Sequence, residues 1–152
     1  MKEEKKKMAG SKITIRDANE KDLTSLVKLF TNVKEVKDYV GAKHNKSYFK
    51  AYIDAHGRAL FVAEIDGVVL GAMNLEYERG EYLFLNNVVV SKVARGKGVG
   101  GALMKYMESF AKKNKIKRIL LFVYKWNKQM QKVVEHYNYV HNGELFLYSK
   151  KM

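Results

Sequence analysis

The 152-residue chain contains neither cysteine nor proline. Without cysteine there is no disulfide, no thiolate metal site and no cysteine nucleophile, a composition that fits a reducing compartment. The lack of proline carries no functional reading. No apolar run approaches the roughly 18 residues of a membrane span. The opening MKEEKKKMAGSK is charged throughout and has no apolar segment of the kind a signal peptide needs. A cytoplasmic location with no membrane partner is therefore the expectation. Residues 1–10 read as a flexible charged tail and residues 11–152 as a single domain. Apolar residues make up 47% of the chain, which excludes a disordered chain.

Acidic residues are scarce in the second half. Residues 91–152 carry 14 basic and 3 acidic side chains, a net of +11, whereas residues 1–90 carry 15 and 13, a net of +2. An excess confined to one part of the chain suits a polyanionic ligand or partner there. The four histidines show no metal-ligand spacing and no partnered serine, so no metal is assigned.

The apolar pattern supplies the elements. KITIRDA alternates as a strand. ANEKDLTSLVKLFTNV places Leu23, Leu26, Val27 and Phe30 at helical spacing behind a cap at Asn19 or Asp17. NKSYFKAYIDAHG reads as a shorter helix closed by Gly57. ALFVAEI and VVLGAMNLEYE are strands joined at Asp66 and Gly67, a hairpin signal. YLFLNNVVV is the next strand, and GVGGALMKYMESFAKKN an amphipathic helix with Val99, Leu103, Met107 and Phe110 on one face. RILLFVY is a continuous apolar run, expected to be a strand buried on both faces. NKQMQKVVEHYNY reads as a last helix and GELFLYSK as a last strand. An antiparallel meander leading into one parallel, right-handed β-α-β unit follows from this order.

That unit carries the chemistry. Four glycines fall within residues 96–101, between a strand and a helix. Such a turn aims unpaired N–H groups and the positive end of a helix dipole at one point, which is a phosphate site. A P-loop would need serine or threonine after its lysine, but Lys97 precedes Gly98. Gly96, Gly98 and Gly101 satisfy the dinucleotide spacing G-x-G-x-x-G, yet no acid lies between Glu108 and Glu135 to hold a ribose. The segment RGKGVG resembles the R/Q-x-x-G-x-G/A turn of the GNAT superfamily of N-acetyltransferases. ITIRDANEKDL is similar to that family's opening strand and helix, and WNKQMQKVVEHYNYV to its later motif of an asparagine followed by a helix.

The resemblance implies an α/β acyltransferase fold. Its central sheet is mixed and mostly antiparallel, with helices on both faces and one parallel β-α-β unit splayed around CoA. It implies acetyl-CoA as co-substrate and an amine acceptor, with room for a homodimer. The turn formed by Arg95, Gly96, Lys97, Gly98, Val99, Gly100 and Gly101 would cradle the pyrophosphate, with Gly98 and Gly100 keeping a Cβ out of the way. Val88, Val89 and Val90 would offer backbone hydrogen bonds to the pantetheine amides, as to an added strand. Asn127 would reach the pantetheine arm, or cap the last helix. Lys97, Lys128 and Lys132 are the lysines placed for the 3′-phosphate.

Two family positions are not filled as usual. Asn86 stands where a glutamate base is frequent; asparagine cannot accept the proton but can hold a water. Val134 stands where a tyrosine acid is frequent, leaving Tyr137, about one turn on, as the substitute. An ammonium with a pKa near 10.4 must lose a proton before it attacks, at a cost of roughly 4–5 kcal/mol at pH 7. The acceptor region would draw on Tyr39, Tyr48, Tyr52, Tyr77 and Tyr82 and on Glu76, Glu78 and Glu81. With no cysteine and no activated serine, transfer would be direct. The competing class is a basic RNA- or ribosome-binding module on the same scaffold with catalysis lost. No aromatic-rich nucleic-acid signature is present, so nucleic acid is not the expected partner.

Overall fold

The first strand, β1 (Ile13–Asp17), hands over to helix α1 (Leu23–Thr31) through a capped turn in the computed structural model, which describes residues 11–33, 43–143 and 148–150. Asn19 Oδ1 accepts the Lys21 N–H at 3.0 Å, and Asp22 Oδ2 accepts the Asn19 N–H at 2.8 Å. Asp22, 6% exposed, also receives both ends of the Arg16 guanidinium, at 2.8 and 2.9 Å. Arg16 bridges onward to Glu64 on the next strand, with Nε at 3.1 Å. One arginine thus ties β1, the cap of α1 and β2 together. Its hydrogen bonds hold the Asp22 carboxyl below its ordinary range against the opposing effect of burial.

Helix α2 (Lys46–Asp54) begins at Asn45, whose side chain accepts the Tyr48 N–H at 2.9 Å. Strands β2 (Arg58–Ile65), β3 (Val68–Glu78) and β4 (Tyr82–Val90) form the antiparallel meander. The β2–β3 turn is made by Asp66 and Gly67 at φ 51° and 75°, the conformation that matches strand twist. Helix α3 (Val99–Lys113) then crosses to β5 (Arg118–Leu121). The sheet order is β1-β2-β3-β4-β5, antiparallel except for the β4–β5 pair.

Alternation in the strands decides which helix covers which face. Leu60, Val62, Ala72 and Val89 pack with Leu26, Leu29, Phe30, Phe49 and Tyr52 of α1 and α2. The other face meets α3. There Phe61 lies edge-on to Tyr106 and Phe110, and Tyr77 edge-on to Phe110, with centroids 4.9–5.3 Å apart. Gly71 lets α3 close on β3, since a Cβ there would lie 2.7 Å from Val99 Cγ1. Helices on both faces of a mixed sheet are the expected architecture.

β5 departs from expectation. It ends at Leu121 rather than running to residue 124, and Leu120 and Phe122 are 42% and 61% exposed. It is an edge strand of the described sheet, while α1 and α2 lie over β2, β3 and β4, so it is not buried on both faces. Half of the expected last strand, residues 144–147, lies outside the described residues, as do Tyr39 and the tail at residues 1–10. The chain divides into two compact units, Met1–Phe122 and Val123–Met152, the second holding helix α4 (Lys128–His136).

Candidate active site

The glycine turn starts where β4 leaves the sheet. Ser91 N–H donates to Leu70 O at 2.8 Å, and one 3-10 turn over Lys92–Ala94 buries Ala94. Gly96 and Gly98 then take φ of 74° and 86°, the left-handed region that favours glycine. Gly98 is the N-cap of α3, and no side chain caps the helix. The first intrahelical bond runs from Ala102 N–H to Gly98 O at 2.9 Å. The N–H groups of Val99 and Gly100 lie in the first turn, where a helix offers them no carbonyl. Gly100 has an ordinary helical φ, and a Cβ on it would meet only Val90 Cγ2, at 3.7 Å. Neither strain nor packing requires glycine there. Lys92, Arg95 and Lys97 add positive charge around the turn.

The open edge of β4 lies beside the turn. Its parallel pairing with β5 runs from Tyr82↔Arg118 to Leu85↔Leu121 and stops. Residues 86–90 continue as strand, bonded to β3 through Val88, Val89 and Val90, with no further strand on the β5 side among the described residues. The backbone of this stretch can therefore bond an extended amide chain, while the Val89 side chain is buried in the core. The split has a local cause. Asn74 pairs with Asn87 and Leu75 with Leu85, so Asn86 is an extra residue, a β-bulge in β4. Bulges bend a strand and re-aim a side chain.

The bulge turns Asn86 towards α2. Its Nδ2 donates to Tyr52 Oη at 2.7 Å, and Tyr52 O–H donates to Glu76 Oε1 at 3.3 Å. Asn74, fully buried, donates to Tyr48 Oη at 2.9 Å; its own Oδ1 has no hydrogen-bond partner among the described residues. Arg58 sits 3.4 Å from Glu76 Oε1 and 5.1 Å from the centre of the Tyr52 ring. Burial, the hydrogen bond with Tyr48 and the nearby Tyr48 and Glu76 charges hold the Tyr52 phenol well above its usual range, with an Asn74 hydrogen bond pulling the other way. Tyr52 therefore stays protonated at any physiological pH.

Asn127 is the N-cap of α4, accepting the Met130 N–H at 3.1 Å, so the capping alternative holds and Oδ1 is engaged. Tyr137 is the C-cap of α4, its N–H on Val133 O at 3.2 Å and its ring edge-on to His136. Asn138 follows at φ 62°, the conformation a glycine would otherwise supply. Among the described residues no group of histidine and acidic side chains could hold a metal ion, and no helix is long and apolar enough to cross a membrane.

Residues 24–139 match the acetyltransferase (GNAT) family. The chain belongs to that family. This GNAT chain is accordingly an acetyl-CoA-dependent N-acetyltransferase. It is 26% identical to an uncharacterised N-acetyltransferase, YhfO, of Bacillus subtilis (strain 168), over 84% of this chain and 89% of that protein. Its fold is similar to aminoglycoside N-acetyltransferase AAC(6')-Iy in complex with CoA, with TM-score 0.78, 20% identity, and coverage of 94% and 97% of the two chains. A possible acetyltransferase from Clostridium difficile 630 is similar at TM-score 0.73 and 24% identity, over 92% and 97%. An aminoglycoside acetyltransferase from an uncultured soil sample, in complex with sisomicin, is similar at TM-score 0.72 and 16% identity, over 91% and 97%.

The Tyr52–Asn86–Glu76 arrangement was not legible as a unit in the sequence. The available signal was polar residues inside otherwise apolar strands, Asn74 in GAMNLEYE and the Asn pair in FLNNVVV. Buried polar residues in a strand must find one another.

Proposed function

We propose that this GNAT enzyme transfers the acetyl group of acetyl-CoA directly to a primary amine of a cationic acceptor. The observation that carries the reading is the uncapped start of α3 beside the open edge of β4. The N–H groups at Val99 and Gly100, the helix dipole and Lys97 would hold the pyrophosphate. The backbone of Val88, Val89 and Val90 would bind the pantetheine arm and so bring the thioester to the bulge at Asn86. Acetyl-CoA, when bound, supplies an acetyl group activated as a thioester. The chain's own residues must then orient the amine, exclude water and carry away its proton. Glu76, Glu78 and Glu81, on and beside the β3–β4 hairpin, are the acids on the acceptor side, with Glu76 paired to Arg58 at 3.4 Å and Glu81 to Lys117 at 2.8 Å. Lys50, Glu20 and Asp54 form a separate exposed ion-pair group.

Aminoglycosides are acceptors to include because two of the similar structures are aminoglycoside acetyltransferases. The test is release of free CoA thiol with acetyl-CoA and a panel of primary amines: neamine, spermidine and a short peptide with a free N-terminus. At least one should be turned over, with kinetics that require both substrates bound together. Ping-pong kinetics, or an acetylated protein that passes its group onward, would contradict direct transfer.

A further inference from the structure

Resting on the acetyl-transfer reading above, we propose that Glu76, reached through the Tyr52 hydroxyl, is the outlet for the acceptor's proton, and that Asn86 is the residue that positions Tyr52. The bulge brings an uncharged amide to the point where a base is needed, and Asn86 cannot accept a proton. Its amide instead fixes the Tyr52 oxygen at 2.7 Å, and the Tyr52 hydroxyl faces Glu76 at 3.3 Å. Tyr52 is 5% exposed and the Glu76 side chain 46% exposed. The chain of groups therefore runs from the half-buried bulge, through the buried Tyr52 hydroxyl, to water.

The step balances as a paired hop. The ammonium N–H breaks as its proton joins the Tyr52 oxygen, and the Tyr52 O–H breaks as its proton joins the Glu76 carboxylate. The products are a neutral amine, an unchanged phenol and a carboxylic acid that returns its proton to solvent. A phenol held protonated suits this role, since it never rests as a phenolate. The other groups facing the pair are Arg58 from β2, on Glu76 at 3.4 Å, and Tyr48 from α2, held by Asn74. Opposite Glu76 on β4 stands Phe84, which does not titrate.

The test uses the panel amine that the wild type turns over fastest, with saturating acetyl-CoA, between about pH 6 and 10. Tyr52→Phe keeps the ring and its contact with Arg58. Tyr52→Phe and Glu76→Gln should each lower kcat at pH 7 by about 10²-fold, the scale of one positioned base. Acetyl-CoA affinity should change by less than about 2-fold, since neither residue lies in the glycine turn. The variants' rates should climb about tenfold per pH unit while the wild type levels off, because the variants depend on amine already neutral in solution. The double variant should be no slower than either single one, as for two links of one chain. Glu76→Asp should recover part of the rate. Should Tyr52→Phe fail to fold, the partly exposed Glu76→Gln carries the test alone. Variants whose pH profiles run parallel to the wild type, or whose losses multiply, overturn the proposal. A wild type that binds no acetyl-CoA, or turns over no amine of the panel, instead overturns the reading beneath it.

Discussion

Gly100 is a residue whose identity the fold does not explain. Its φ is helical and its surroundings admit a side chain, so glycine there points to something that approaches from outside. Gly100→Glu separates the two accounts. Glutamate is a better helix former than glycine and its charge suits a helix N-terminus, effects worth about 0.5–1 kcal/mol each. Thermal unfolding of Gly100→Glu should therefore come at or above the wild-type midpoint, as read by circular dichroism. A lower midpoint would mean that Gly100 serves packing after all. Asn86 shows the opposite case, a residue whose neighbours could not be read from its position. The sequence offers Asn86 as an anchor for a water; the structure adds that its Nδ2 donates to a tyrosine from α2. The bulge that causes this is a register shift between strands, which no periodicity within one strand reveals.

Among the elements, α3 and the strand before it, β4, were the most legible. The glycine turn, the Asp66–Gly67 hairpin and the limits of β4 follow from local chemistry, φ > 0 at glycine and period-two alternation, and these appear where expected. The end of β5 does not follow from RILLFVY, because its length depends on where β4 bends away. The seat of α3 rests on Gly71, where an added Cβ would press Val99, Leu103 and the Val89 carbonyl. Gly71→Ala should destabilise by about 1–3 kcal/mol, the usual scale of overpacking. Adding Val99→Ala should restore part of that loss in denaturant unfolding; no restoration would place the strain elsewhere. At the other end of the sheet, Asp22 links α1 to β1 and β2 through Arg16. Its carboxyl is lowered in the folded state. Its contribution is thus complete above the ordinary carboxylate pKa near 3.9 and is lost as pH falls through the lower folded value. Asp22→Asn should lower stability at pH 7 by about 1.5–3 kcal/mol and flatten the acid limb of the stability curve. An unchanged acid limb would show that other carboxylates govern it.

Over the whole molecule, charge is divided as the chemistry would need it. Residues 91–152 carry the net +11 that favours a polyanionic co-substrate, and residues 1–90 hold most of the acids. Acetyl-CoA affinity should accordingly weaken several-fold between about 0.05 and 0.5 M salt, as the Debye length shrinks. Lys97→Ala should reduce that salt dependence, and an affinity indifferent to salt would remove the charge asymmetry from the account. The central claim is that the turn at residues 95–101 holds acetyl-CoA, and calorimetric titration of acetyl-CoA into the wild type and Gly100→Glu tests it most directly. The wild type should bind saturably, and at about 100 times Kd the ligand should stabilise it by roughly 2.7 kcal/mol. Gly100→Glu, folded and no less stable, should show no binding. Equal binding by the two proteins, or none by the wild type, would contradict the claim.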